Sequence, residues 1–235
     1  MRFKAGVFLV VVLLVCAAPA VVSAMGGQAR SGMCDPDDKI INFVLTSKDD
    51  RIKQSFKVPV SYMSAAFERS GRNKKSLHLD AMLDTLAPRC QPNGERAPKE
   101  GSLQVALSPN LRPEEERRKL VEESYPADKY EDIELPGYPD FFFKSSIHRP
   151  KTVEGPVRPG GYLPAYPKKT VNIPVYFDIS CAAIGVDIRG LDMCKMSFLY
   201  QPDIAVTATF HASQLTKLEQ VYLSSINLVN RFHVR

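Results

Sequence analysis

Cys181 and Cys194 enclose a twelve-residue segment, AAIGVDIRGLDM, that is rich in glycine and aspartate. Such a pair could bind a metal, act as a redox couple or form a structural disulfide. Structural zinc sites use cysteines about two to four residues apart, and thiol–disulfide catalysts use a C-x-x-C pair. The sequence contains neither spacing, so it favours a Cys181–Cys194 disulfide and no metal. A disulfide that closes a loop of this size stabilises a protein by on the order of 3 kcal/mol.

The histidines offer little further chemistry. His78, His148, His211 and His233 are far apart, and none has a second metal ligand three or four residues away. His78 and Asp80 would share one face of a strand, where a carboxylate could orient a histidine base. No G-x-S-x-G or H-E-x-x-H motif accompanies them. We therefore expect a protein that is not an enzyme and has no cofactor. An envelope hydrolase with an active site assembled from distant positions remains the alternative.

Residues 1–24 have the layout of a secretory signal peptide. Arg2 and Lys4 precede an apolar run at 6–15, and small residues lead up to Ala24; this is the order of regions in cleaved signals. The apolar run is shorter than the roughly 20 residues that span a bilayer. We expect cleavage near Ala24, export to the periplasm or beyond, and no membrane span in the mature chain.

Export would place the other cysteines in an oxidising compartment. Cys34, Cys90, Cys181 and Cys194 remain after cleavage, and an even number of cysteines in that setting favours disulfides. Pairing nearest neighbours joins Cys34 to Cys90, although the second pairing stays open. Lipidation of Cys16 also stays open, despite the valine where a lipid-attachment motif requires a small residue.

The mature chain has a suitable length for one globular domain, residues 25–235. Removal of Arg2 and Lys4 lowers the formal net charge from +5 to +3. Nucleic-acid-binding domains are strongly basic, with clustered lysine and arginine. The mild charge of this chain therefore argues against a nucleic-acid partner.

Alternating apolar residues predict antiparallel hairpins in both halves of the domain. Residues 40–46 and 51–59 alternate around a short polar break, and 195–200 and 203–210 do so around Gln201-Pro202. Residues 102–109 and 170–180 are predicted strands, and 141–146 should form a strand after a turn, with at least two of its three phenylalanines in the core.

The C-terminal residues predict a helix. Ser213 occupies an N-cap position, and apolar residues recur after it at helical spacing, at Leu215, Leu218, Tyr222, Ile226 and Val229. The expected fold class is α+β, with a mainly antiparallel sheet and this C-terminal helix packed on it.

Residues 148–169, HRPKTVEGPVRPGGYLPAYPKK, are predicted to be a loop within the single domain. The alternative is that this loop joins an N-terminal half and a C-terminal half. The segment has five prolines, three glycines and five basic residues against one glutamate. Long loops are often functional, and tyrosine and arginine frequently anchor interfaces. We take the loop as a candidate partner-binding surface, with an idle surface excursion as the alternative; the candidate residues are Arg149, Lys151, Arg158, Tyr162, Tyr166, Lys168 and Lys169.

Three features together resemble a known group of proteins: the signal peptide, the segment FKVPVSYM after an early strand, and a C-terminal unit of two cysteines, a hairpin and a long helix. They are similar to small periplasmic proteins encoded beside effectors of bacterial type VI secretion, some of which are immunity proteins. The resemblance implies a protein-binding role and no catalytic residue.

The resemblance and the loop together predict a non-enzymatic exported protein that binds another protein. The specific expectation is a toxin-neutralising immunity protein whose partner is a secreted effector. A structural or secretion-accessory role is a further alternative.

Overall fold

The structure is a computed structural model, and all of the described residues fall within Ser31–Arg235. The described residues are 39–47, 49–63, 75–89, 99–110, 115–116, 119, 123, 125–146, 162–169, 171, 173, 177–182 and 191–234. They contain strands β1 (Ile40–Thr46), β2 (Lys53–Pro59), β3 (Leu77–Met82), β4 (Ser102–Pro109), β5 (Tyr130–Ile133), β6 (Phe141–Ser146), β7 (Tyr162–Pro167), β8 (Phe177–Ala182), β9 (Met193–Gln201), β10 (Ile204–His211) and β11 (His233–Val234), and the C-terminal helix (Leu218–Phe232).

The predicted N-terminal hairpin is confirmed. Strands β1 and β2 are antiparallel, with Phe43 opposite Phe56, and β11 adds to β2 to complete a three-stranded sheet. Side chains alternate between the two faces of a strand, so Phe43, Leu45 and Phe56 are buried while Val44 is exposed.

The second sheet has eight antiparallel strands in the order β3-β4-β10-β9-β8-β7-β6-β5. It contains the predicted hairpin of β9 and β10, in which Val206 lies opposite Phe198. The inner face of the sheet is apolar and shares one core with β1 and β2. The predicted fold class, mainly antiparallel sheet with a C-terminal helix, is confirmed.

The C-terminal helix contacts β2, β4 and β10, so it packs on strands of both sheets. The ring of Tyr222 lies 4.9 Å from Phe198, and the ring of Phe232 lies 4.8 Å from Tyr62. Its buried residues recur at the spacing of about 3.6 residues per turn that gives a helix one core face; they are Leu218, Val221, Ser225, Leu228, Val229 and Phe232.

The start of this helix differs from the prediction. A 3₁₀ helix, Ala212–Lys217, comes first, and the α-helix begins at Leu218. Ser213 is therefore not the N-cap. The backbone N–H of Ser213 instead donates to Nδ1 of His211, at 3.3 Å, so His211 caps the 3₁₀ segment.

The prediction of an irregular loop throughout 148–169 is wrong for Tyr162–Pro167, which form β7. This strand contains two prolines, which lack the N–H that a sheet ladder uses. It accommodates them because it changes neighbours along its length: Leu163 pairs with β8, whereas Ala165 pairs with β6. Each proline thus has a registered partner on one side only, as prolines in sheets require.

The strand predicted at 170–180 is shorter than expected. The structure describes Val171 and Ile173 outside any strand, and β8 begins at Phe177. Ile173 nevertheless belongs to the buried core, so its apolar character reflects burial without regular pairing.

Candidate binding surface

The outer face of strands β5–β8 carries aromatic and charged side chains. In β6, Phe141 and Phe143 are buried in the core, whereas Phe142 is 36% exposed on the opposite face. The turn before β6 requires Gly137, whose φ of 89° is readily adopted only by glycine. The alternation within β6 therefore confirms two core phenylalanines and assigns the third to the surface.

Tyr166 lies beside Phe142 on the neighbouring strand. The two residues are register partners between β6 and β7, and Tyr166 is half-buried. Burial and, secondarily, the negative charge of Asp178 raise the pKa of Tyr166 to about 12. The phenol is therefore neutral at physiological pH and combines an apolar ring with a hydrogen-bonding tip, as interface tyrosines do.

Two further tyrosines extend this surface. The rings of Tyr125 and Tyr130 meet edge to face, with centroids 5.1 Å apart. Burial, followed by the charge of Asp178, raises the pKa of Tyr125. The charge of Tyr125 also contributes to the raised pKa of Tyr166, so the two phenols lie within electrostatic range of each other. We call Tyr125, Tyr130, Phe142 and Tyr166 the aromatic patch.

Lysines border the aromatic patch and are held by carboxylates. Nζ of Lys168 lies 2.6 Å from Oε1 of Glu134 and 4.6 Å from the centroid of the Phe142 ring. Nζ of Lys144 lies 2.7 Å from Oδ1 of Asp132 on the adjacent strand. Such partly exposed pairs contribute at most about 1 kcal/mol each, so their role here is to position charge around the rings.

The predicted binding residues are only partly brought together. Tyr166 and Lys168 lie at the aromatic patch. Tyr162 is the first residue of β7, and the structure describes only its backbone. Arg149, Lys151 and Arg158 lie outside the described residues. The connection that contains them leaves β6 at Ser146 and reaches β7 at Tyr162, whereas Lys168 and Lys169 follow the other end of β7. A six-residue strand separates these ends by roughly 20 Å.

Lys169 lines a cleft whose lining contains no residue of the aromatic patch. The cleft has a volume of about 520 Å³ and lies between the β6–β7 pair and the start of the C-terminal helix. Its charged lining consists of two lysines and two carboxylates, namely Lys169, Lys217, Asp140 and Glu219. These opposite charges balance, so the cleft does not select a ligand by net charge.

Sequence reasoning missed Tyr125, Tyr130 and Phe142. Phe142 had a usable signal, because the middle residue of three consecutive phenylalanines in a strand must point away from the other two. Tyr125 and Tyr130 gave none, since nothing in their local pattern reveals that they lie near Tyr166.

The Cys181–Cys194 disulfide is confirmed. The two cysteines are register partners on β8 and β9, and both are buried. The bond therefore cross-links two central strands of the large sheet. The predicted Cys34–Cys90 pair lies outside the described residues.

Asp80, considered from sequence as a carboxylate that could orient His78, forms a buried ion pair with Arg89. Oδ2 of Asp80 lies 3.2 Å from Nη1 of Arg89, and both side chains are buried. Burial lowers the pKa of His78. Within the described part of the chain no three histidine, cysteine or carboxylate residues are grouped to hold a metal. No helix within those ranges is long and apolar enough to cross a membrane.

No protein-family profile and no characterised protein sequence matches the chain. Structural comparison finds similarity to Smlt3025, an immunity protein of the Stenotrophomonas maltophilia type IV secretion system. The TM-score is 0.50 at 11% sequence identity, and the match covers 84% of this chain and 94% of Smlt3025. At this identity the similarity concerns the fold. The resemblance to immunity proteins thus has a structural counterpart, but in a type IV and not a type VI system.

Proposed function

We propose that this protein is an exported, non-enzymatic immunity protein that neutralises a secreted bacterial toxin by binding it. The observation that carries the proposal is the fold similarity to Smlt3025 across most of both chains. The signal-peptide pattern and the buried Cys181–Cys194 disulfide support the periplasm as the place where it acts.

The toxin in this proposal is an effector of a bacterial secretion system. The sequence resemblance favours a type VI effector, whereas the structural neighbour serves a type IV system. Effector genes beside the gene for this protein would distinguish the two systems and supply the candidate toxins for a direct test.

We propose the aromatic patch as the centre of the toxin-binding surface. Interface hot spots are enriched in tyrosine, tryptophan and arginine, and they are surrounded by residues that exclude water. Tyr166 and Phe142 supply adjacent rings at the centre, and Lys168 and Lys144 supply a charged rim. Arg149, Lys151, Arg158 and Tyr162 would extend this surface, and their charge would accelerate association with an acidic partner.

The test is protection of cells that direct a candidate effector to the periplasm while they express this protein. We expect wild-type protein to restore growth and to bind the purified effector. The double variant Phe142→Ala/Tyr166→Ala should bind about thirtyfold more weakly, a loss of about 2 kcal/mol. Leu223→Ala, which truncates an exposed apolar residue on the C-terminal helix, is the matched control and should protect normally.

Two results would contradict these proposals separately. Failure of the wild-type protein to protect against any neighbouring effector would reject the immunity function. Full protection by the double variant, with an unchanged thermal melt, would instead reject the aromatic patch and leave the immunity function in place.

A further inference from the structure

We propose that strand β1 is a docking edge for an acidic, extended segment of a partner protein, which pairs with β1 as an added strand. This surface belongs to the three-stranded sheet, and it is separate from the aromatic patch of the large sheet. The inference does not depend on the toxin-neutralising function.

Within the described residues, one side of the β1 backbone has no strand paired with it. The N–H of Val60 donates to the carbonyl of Lys39 at 2.9 Å, and that of Ser47 donates to the carbonyl of Ile52 at 3.1 Å. Bonded pairs alternate along an antiparallel ladder, so the odd-numbered residues of β1 bond to β2. The even-numbered residues therefore direct their N–H and C=O groups away from β2. Among the described strands, β1 pairs with β2 alone.

The side chains of β1 do not protect this edge. Ile40 is 59% exposed and Val44 is 40% exposed, and β1 has no charged residue and no proline. Natural proteins usually guard an edge strand with lysine, proline, a bulge or a covering segment. An exposed, uncharged, seven-residue edge strand has the features of a surface that receives another strand.

Basic residues on the neighbouring strand, β2, indicate that the partner segment is acidic. Lys53 and Lys57 are exposed on β2, on the same face as Val44. No described carboxylate forms an ion pair with either lysine. At the hairpin turn, Asp49 is already paired with Arg51. The face is therefore basic.

The spacing between strands would allow Lys53 and Lys57 to interact with acidic residues on an added strand. An added strand would lie about 10 Å from β2, two strand spacings away. Glutamate and lysine side chains extended towards each other cover such a distance. Acidic residues on the outward face of the added strand would thus complement Lys53 and Lys57.

The test uses fluorescently labelled peptides that are long enough to span β1, added to the mature protein. A peptide of alternating threonine and glutamate should bind, and one of alternating threonine and lysine should bind at least roughly tenfold more weakly. On binding of the acidic peptide, amide hydrogen exchange should slow at Asn42 and Val44, whose N–H groups face the edge.

Two variants separate strand pairing from simple charge attraction. Asn42→Pro removes an outward N–H without breaking a bond to β2, and it should weaken binding roughly tenfold. Asn42→Thr keeps the N–H and is the matched control. Lys53→Glu/Lys57→Glu should reverse the preference, so that the lysine peptide binds more tightly.

Several outcomes would overturn the proposal. These are no binding of the acidic peptide, equal binding of both peptides, or undiminished binding to a folded Asn42→Pro variant. Self-association of the protein through β1, abolished by Asn42→Pro and without peptide binding, would identify a second copy as the occupant and would also overturn it.

Discussion

Arg89 and Asp80 form a buried ion pair whose side chains are 7% and 4% exposed, respectively. Removing one member of a buried ion pair deprives the other of its counter-charge in the interior, which typically costs about 3–5 kcal/mol. We expect Arg89→Met to lower the free energy of unfolding by about 3 kcal/mol, as measured by urea denaturation. The double variant Asp80→Leu/Arg89→Met should be more stable than Arg89→Met alone. A single variant as stable as wild type would show that Asp80 is satisfied without Arg89.

Tyr166 should make stability fall at high pH. Its folded-state pKa of about 12 lies above the ordinary value of 10.0. Its contribution is therefore fully present below about pH 10 and is lost as the pH rises towards 12. We expect the unfolding free energy of Tyr166→Phe to fall less than that of wild type over this interval. Comparing urea denaturation of the two proteins isolates Tyr166 from other tyrosines, and parallel pH profiles would contradict the raised pKa.

At the scale of elements, the disulfide cross-links β8 to β9 through a sequence separation of 13 residues. The lost entropy of the unfolded chain predicts a contribution of about 3 kcal/mol. Cys181→Ala/Cys194→Ala should lower the unfolding free energy by about that amount, measured under oxidising conditions. Reducing agent is the control, because it should destabilise the wild type much more than the variant. Equal stability of oxidised wild type and variant would show that the bond does not stabilise the sheet.

The C-terminal helix offers a second comparison at this scale. Leu228 is fully buried, whereas Leu223 is 55% exposed on the same helix. Leu228→Ala removes core contacts and should cost about 2–5 kcal/mol, whereas Leu223→Ala should change stability by less than about 0.5 kcal/mol. Thermal and urea denaturation measure both. Similar losses for the two variants would contradict the assigned core face of the helix.

At the scale of the whole molecule, we predict that the exported protein begins at or near Met25. The positive residues, apolar run and small residues of 1–24 are the basis of this prediction. Intact mass and N-terminal sequencing of protein from the periplasm provide the measurement. A variant without residues 1–24 should remain in the cytoplasm with Cys181 and Cys194 reduced. Retention of Met1 in exported protein would contradict cleavage.

The candidate surface was predictable only in part. Tyr166 and Lys168 were identified from a basic segment with tyrosines, but the assumption of one continuous loop was wrong. Strand β7 divides that segment, so residues close in sequence leave opposite ends of a β-strand. Phe142 and Glu134, which contact Lys168, come from other elements.

The sequence by itself determined the two hairpins, the C-terminal helix and the burial of at least two of the three phenylalanines in β6. These features follow from the period-2 and helical patterns of residues a few positions apart. Only the tertiary structure decided that β7 lies within an eight-stranded sheet, that Asp80 pairs with Arg89, and that Tyr125 lies within electrostatic range of Tyr166. Those outcomes depend on pairing between distant segments, and that pairing buries the core as a whole without leaving a signal in any local pattern.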